Sequence, residues 1–164
     1  MNGRHQIRRS CEVHAPADTV WAILSDSAAL PEWARAVEAV TSHTPGPEHV
    51  GSTRECRVDF AGRRGTIVER CVELCPGTRI AYVVDDDSLG FKRMFADYGF
   101  AITVETGAAP GSAIVQMDTH YTPRTSLAAA LNTLFMRRRF ARTVEELLLG
   151  LGRLAEQRAP ALTR

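Results

Sequence analysis

Apolar side chains recur at every second position through the middle of this chain and at helical spacing towards its end, so the pattern reads as strands followed by a long helix. Gln6–His14 alternates loosely through Ile7, Cys11 and Val13 and forms a first strand that Ala15–Pro16 stops. Pro16 suits a helix start, and Val20, Trp21, Ile23 and Leu24 mark the buried face of a short helix through Ser25. Leu30, Trp33 and Val37, with Pro31 in the first turn, mark a second. Val37–His43 reads as a strand entering the Pro- and Gly-rich loop Thr44–Gly51. Further alternating stretches follow at Ser52–Ala61, Thr66–Leu74, Arg79–Val84, Met94–Val104 and Ala113–Tyr121. Turns at Gly62–Gly65, Pro76–Gly77 and Gly107–Gly111 and a polar loop at Asp85–Gly90 separate them.

From Thr125 to Arg164 the pattern changes. Ser126–Gln157 contains no proline and is rich in Leu, Ala, Met, Arg and Glu, all good helix formers. Ser126 stands where an N-cap belongs, and a helix of that extent reaches roughly 45–50 Å. Leu127, Leu131, Leu134 and Phe135 lie on one stripe, whereas Ala141, Val144, Leu148, Leu151 and Ala155 lie on another. The apolar face rotates across Met136–Phe140, so the two halves of the helix face different surroundings, with room for a bend. Consecutive strands joined by short turns imply an antiparallel sheet. The fold class is therefore α+β: a curved seven-stranded antiparallel sheet gripping a long C-terminal helix, with two short helices after the first strand. A cavity is expected between the concave sheet and the helix.

Length and charge narrow the picture. The 164 residues fit one domain, 1–164, with core enough for an internal pocket. Twenty basic against 19 acidic residues, a net +1, is too balanced for a duplex-binding protein, so no nucleic-acid partner is expected. No apolar run is long enough to span a membrane. The opening MNGRHQIRRS lacks the apolar stretch of a signal peptide, which makes the cytoplasm the expected location. Cys11, Cys56, Cys71 and Cys75 are scattered and read as reduced thiols, and neither they nor the five histidines have metal-site spacing. Asp85–Asp87 lacks the glycine and distal Glu of a calcium loop, and Arg137–Arg139 with Arg142 read as a solvated helix face. No metal and no cofactor are called for.

Strand parity selects the inward side chains. It puts Arg54, Cys56, Val58 and Phe60 inward on one strand, and Val68, Arg70, Val72 and Leu74 on the next, with Glu69 and Glu73 in water. Ile80, Tyr82 and Val84 follow, then Met94, Ala96, Tyr98, Phe100, Ile102 and Val104, then Ala113, Val115, Met117, Thr119 and Tyr121. The result is a greasy cleft with a few polar groups, the composition of a small-molecule site. No carboxylate on these strands is expected to face Arg54 or Arg70. Either the two arginines reach solvent at the cavity mouth or they meet an anionic or carbonyl-rich ligand.

Val13-His-Ala-Pro-Ala-Asp-Thr-Val-Trp21, Asp26, Leu30-Pro-Glu-Trp33, Gly51-Ser-Thr-Arg54 and the closing Leu131-Asn132 to Leu151 helix resemble the polyketide cyclase/dehydrase and lipid-transport group. That group belongs to the START-like, Bet v 1-like helix-grip superfamily. The aromatase/cyclases of aromatic polyketide synthesis are the most similar subgroup, in which an inward arginine on a middle strand, helped by hydroxyl groups, positions the polyketide chain. The resemblance implies a cyclase/dehydratase acting on a hydrophobic poly-ketone or aromatic metabolite; Arg70, Arg54 and Tyr98, inward by strand parity, are the catalytic candidates. Trp33, Phe60, Tyr82, Met94, Phe100, Met117, Thr119, Tyr121, Leu131 and Phe135 are the substrate-binding candidates. It also implies delivery by an acyl carrier protein and leaves a homodimer open. A non-catalytic carrier of a lipid, isoprenoid or quinone-like molecule is the alternative.

Overall fold

The computed structural model describes residues 3–60 and 62–159. Ala61, where a strand was expected to end, and the last five residues of the terminal stretch lie outside the described residues. Strand β1 (His5–Val13) leads into helix α1 (Ala17–Leu24), a 3-10 turn at Ser27–Ala29 and the short helix α2 (Leu30–Trp33). Strands β2 (Val37–Ser42), β3 (Thr53–Phe60), β4 (Arg63–Cys75) and β5 (Arg79–Asp87) follow. A single helical turn, α3 (Phe91–Met94), precedes β6 (Phe95–Thr106) and β7 (Ala113–Pro123). Helix α4 (Ser126–Leu131), a π-helical turn at Asn132–Met136 and helix α5 (Arg137–Arg158) complete the order.

The seven strands form one antiparallel sheet in the order β1-β7-β6-β5-β4-β3-β2. Except at the β1–β7 junction, neighbours in the sheet are neighbours in the chain, as short turns dictate. Helix α5 buries Val144, Leu148, Leu151 and Ala155 of the second stripe against the core, together with Phe140, while Ala141 is only half-buried.

The two halves of the terminal helix are joined by the π-helical turn, a wider turn that rotates the face presented to the core. Thr125, one residue earlier than expected, is the N-cap; its side chain accepts from the Ala128 N–H. Asn132 anchors the wide turn: it is 1% exposed and accepts a 2.9 Å hydrogen bond from the Tyr121 hydroxyl. The first stripe is consequently left outside, with Leu127, Leu131, Leu134 and Phe135 all exposed.

Other boundaries shift for local reasons. The polar run Asp85–Asp87 continues β5, and the Asp87 carboxylate then accepts from the Phe91 and Lys92 N–H groups at 2.8 Å each. That capping draws Phe91–Met94 into a helical turn, so Met94 is not in the strand. Asp97 takes a positive φ of 53° where the β6–β7 register slips between Ala96 and Gly99. The bulge turns Phe95 inward against Tyr121 and Phe140, while Tyr98, Phe100 and Ile102 keep the expected inward parity.

Candidate functional site

Between the concave sheet and α5 lies a cavity of about 110 Å³. Its apolar walls come from Leu24, Leu30, Val58, Ile67, Val84, Ile102, Met117, Val144 and Leu147, with Phe60, Phe100 and Phe140. A second cavity of about 340 Å³ shares Phe60, Tyr98, Phe140 and Thr143 with the first and is bordered by Arg63, Leu89, Phe91, Met94, Met136 and Arg139. Tyr98 stands at the junction, its ring stacked on Phe140 at 5.8 Å.

At one end of the inner cavity is a buried ion pair. Arg54 on β3 lies directly opposite Glu69 on β4. Its Nε donates to Glu69 Oε2 at 2.9 Å and its Nη2 stands 2.8 Å from the same oxygen. Arg54 Nη1 donates to Ser27 Oγ at 3.0 Å and Tyr82 Oη at 3.3 Å, and the guanidinium carbon sits 3.9 Å over the Tyr82 ring. The chain of contacts continues outward: Ser27 and Ser52 each donate to the Glu48 carboxylate at 2.7 Å. Burial is the largest single influence and disfavours the Arg54 cation, but Glu69, Tyr82 and Cys56 together outweigh it and leave the guanidinium more firmly protonated than a free arginine. Cys56, which touches Glu69 Oε2 at 3.7 Å, has its thiol pushed up to about 12 by burial first and Glu69 second.

The remaining polar groups of the cavity are neutral donors. Trp33 Nε1 and Thr119 Oγ1 are buried and have no hydrogen-bond partner among the described residues. Trp33 is held in place because α2 crosses α5 at Gly150, where a Cβ would come within 2.0 Å of the Trp33 carbonyl oxygen. Tyr98 and Tyr82 are pushed above the ordinary phenol range, mainly by burial, so both stay protonated at neutral pH. Unpartnered buried N–H and O–H groups in an apolar hollow are costly, and a ligand carbonyl or hydroxyl would satisfy them.

Of the expected site residues, Trp33, Arg54, Phe60, Tyr82, Tyr98, Phe100, Met117 and Thr119 line the inner cavity. Met94 borders the outer one. Four others lie elsewhere. Arg70 is on the opposite face of β4, where it makes a two-point ion pair with Asp85 at 2.7 and 3.0 Å. Tyr121 is wholly buried beneath Phe140 and spends its hydroxyl on Asn132. Leu131 and Phe135 belong to the outward stripe ahead of α5. Conversely, Glu69, expected in water, points inward, and Ile67 and Cys71 accompany it in place of Val68 and Val72, whereas Leu74, past the register shift between Cys71 and Glu73, packs against the core as expected. Glu69, Ser27, Glu48 and Thr143 are polar residues the sequence pattern did not bring to the site.

The family described as polyketide cyclase/dehydrase and lipid transport matches residues 4–156. Among solved structures, the chain is similar to the ZhuI aromatase/cyclase from a Streptomyces species, with 19% identity, a TM-score of 0.77 and 96% of each chain covered. It is also similar to a START superfamily protein from Mycobacterium smegmatis, with 18% identity, a TM-score of 0.74, and 93% of this chain and 98% of that one covered. A third is ginseng major latex-like protein 151, with 12% identity, a TM-score of 0.76, and coverage of 92% and 97%. At these identities the structural likenesses establish the shared helix-grip fold. No functionally curated protein sequence matches the chain.

Proposed function

We propose that this chain, which belongs to the polyketide cyclase/dehydrase and lipid transport family, encloses a hydrophobic poly-ketone or aromatic metabolite in its cavity and promotes ring closure there. One observation carries the reading: an apolar, aromatic hollow in which unpartnered Trp33 Nε1 and Thr119 Oγ1 share the walls with Tyr98. Such walls confine a flexible poly-β-ketone to few conformers, which favours one aldol closure by proximity. In that closure an α-carbon loses a proton, the new carbon–carbon bond forms, and the accepting carbonyl oxygen takes up a proton. In this reading Tyr98, kept protonated by burial, donates that proton, and the proton released from the α-carbon restores the phenol, so the closure is balanced. Arg54 acts as a positioning residue here, because its nitrogens are engaged by Glu69, Ser27 and Tyr82. Delivery of the substrate by an acyl carrier protein and a cytoplasmic setting belong to the same reading.

That engagement of Arg54 also favours the second reading, a carrier that binds without reacting, since among the described residues lining the inner cavity no uncommitted cation is left to stabilise an oxyanion. Turnover of a poly-β-ketone thioester by the wild type and by Tyr98→Phe separates the two. A cyclase loses about a hundredfold or more in kcat with ligand affinity largely kept. Product formation by the wild type no faster than the uncatalysed background, with only an affinity change in Tyr98→Phe, rejects the cyclase in favour of the carrier.

A further inference from the structure

Glu69 has one committed oxygen and one free. Oε2 receives Arg54 and the Cys56 thiol, whereas Oε1 has no hydrogen-bond partner among the described residues, and Glu69 is part of the cavity lining. The charge of Arg54 is already offset by Glu69, whose Oε2 faces Nε and Nη2, while Nη1 donates to Ser27 and Tyr82. Behind it, Glu48 adds a second carboxylate through Ser27. Formal charges of Glu69, Glu48 and Arg54 leave this end of the cavity with an excess of negative charge. A ligand entering the hollow therefore meets a carboxylate lone pair at the ion-pair end and neutral N–H and O–H donors on the other walls.

We infer that Glu69 is the specificity-determining residue of the cavity: it selects an apolar ligand that is uncharged and presents a hydroxyl, enol or phenol O–H, and it turns carboxylates away. The inference rests on the cavity-binding reading above and names its ligand class. A ligand hydroxyl donates to Oε1 in a charge-assisted hydrogen bond, while its carbonyl oxygens accept from Trp33 and Thr119. A ligand carboxylate would place like charges within a few ångströms in a poorly screened site, which costs it affinity.

The test uses the wild-type protein and displacement of a neutral fluorescent probe, N-phenylnaphthylamine, by decanol, decylammonium and decanoate. The two ions share chain length and carry comparable desolvation costs, so their ranking isolates the sign of the field. The expected order is decanol, then decylammonium, then decanoate, with decanoate about tenfold or more weaker than decanol. In Glu69→Gln the deficit of decanoate against decanol shrinks. Decanoate binding as tightly as decylammonium, or a decanoate deficit unchanged in Glu69→Gln, overturns the assignment while leaving the cavity reading intact. Failure of the probe and of all three alkyl ligands to bind overturns the cavity reading, and the assignment falls with it. Should Glu69→Gln not fold, the wild-type ranking alone decides.

Discussion

Arg54 and Arg70 sit on adjacent strands and resemble each other in sequence context, yet their surroundings set them to different tasks. Arg70 and Asp85 form a surface pair, with side chains 42% and 38% exposed, and exposed pairs contribute little. Arg54 and Glu69, at 6% and 11%, are cut off from water, where removing one partner strands the other charge. Arg54→Met is therefore expected to lower unfolding free energy by about 3–5 kcal/mol, and the double variant Arg54→Met/Glu69→Leu to recover most of that loss. Arg70→Ala is expected to cost at most about 1 kcal/mol. Urea denaturation of the four proteins measures all of this. Equal losses for Arg54→Met and Arg70→Ala would contradict the assignment of the buried pair.

The elements show how a helix crossing holds a side chain over the cavity. Helix α2 is a single turn and cannot fix Trp33 by itself; its backbone is pressed against α5 at Gly150. Alanine is the better helix former by about 1 kcal/mol, but the Trp33 carbonyl oxygen occupies the place its methyl would take. Gly150→Ala is expected to lower stability by a net of about 1–2 kcal/mol and to shift Trp33 emission, because α2 is pushed off α5. A higher Tm with unchanged emission would show that the crossing is looser than described. The same terminal helix shows what periodicity conveys. Two offset apolar stripes signalled a change of surroundings, but not that the first stripe lies outside. Asn132, a polar residue buried by its bond to Tyr121, determines that outcome, and hydrophobic patterning is blind to such a residue.

Taken as a whole, the molecule keeps its polar atoms few and sheltered around one hollow, and this has a pH signature. All three tyrosines, Tyr82, Tyr98 and Tyr121, are raised mainly by burial, and Cys56 is raised to about 12. Folded values above the unfolded ones make these groups' contribution complete below the ordinary thiol and phenol values, 9.0 and 10.0. It drains away as pH rises through those values towards the folded ones, since the unfolded chain releases its protons first. Tyrosinate absorbance is thus expected to stay absent from the native protein at about pH 10 and to appear together with loss of the helical circular-dichroism signal. Stepwise tyrosinate formation in a still-folded protein would contradict it.

The architecture was legible because strand alternation, the turn residues and the uninterrupted final helix all agree on it. The ion pair at its centre was hidden by a plausible rule, that glutamates in a strand face water. Yet the β3–β4 hairpin contained the correction. Residues directly opposed across a hairpin share a face. Whether the last pair is Phe60 with Arg63, as observed, or the turn is the four residues Gly62–Gly65 of the sequence reading, even positions on β3 oppose odd positions on β4. Inward Arg54 therefore requires inward Ile67, Glu69 and Cys71, and excludes Arg70. Ser27 and Glu48 had no such signal, because they reach Arg54 from a 3-10 turn and a loop whose paths follow no period.

The central claim is a ligand-receptive hollow under Trp33, and the chain offers a direct reporter of it. Two tryptophans give two indole N–H signals, from Trp21 and Trp33. In a nitrogen–proton correlation spectrum titrated with decanol, the Trp33 indole signal is predicted to move as its unpartnered N–H gains an acceptor, while the Trp21 signal stays in place. A Trp33 indole signal unmoved at saturating decanol would contradict the account.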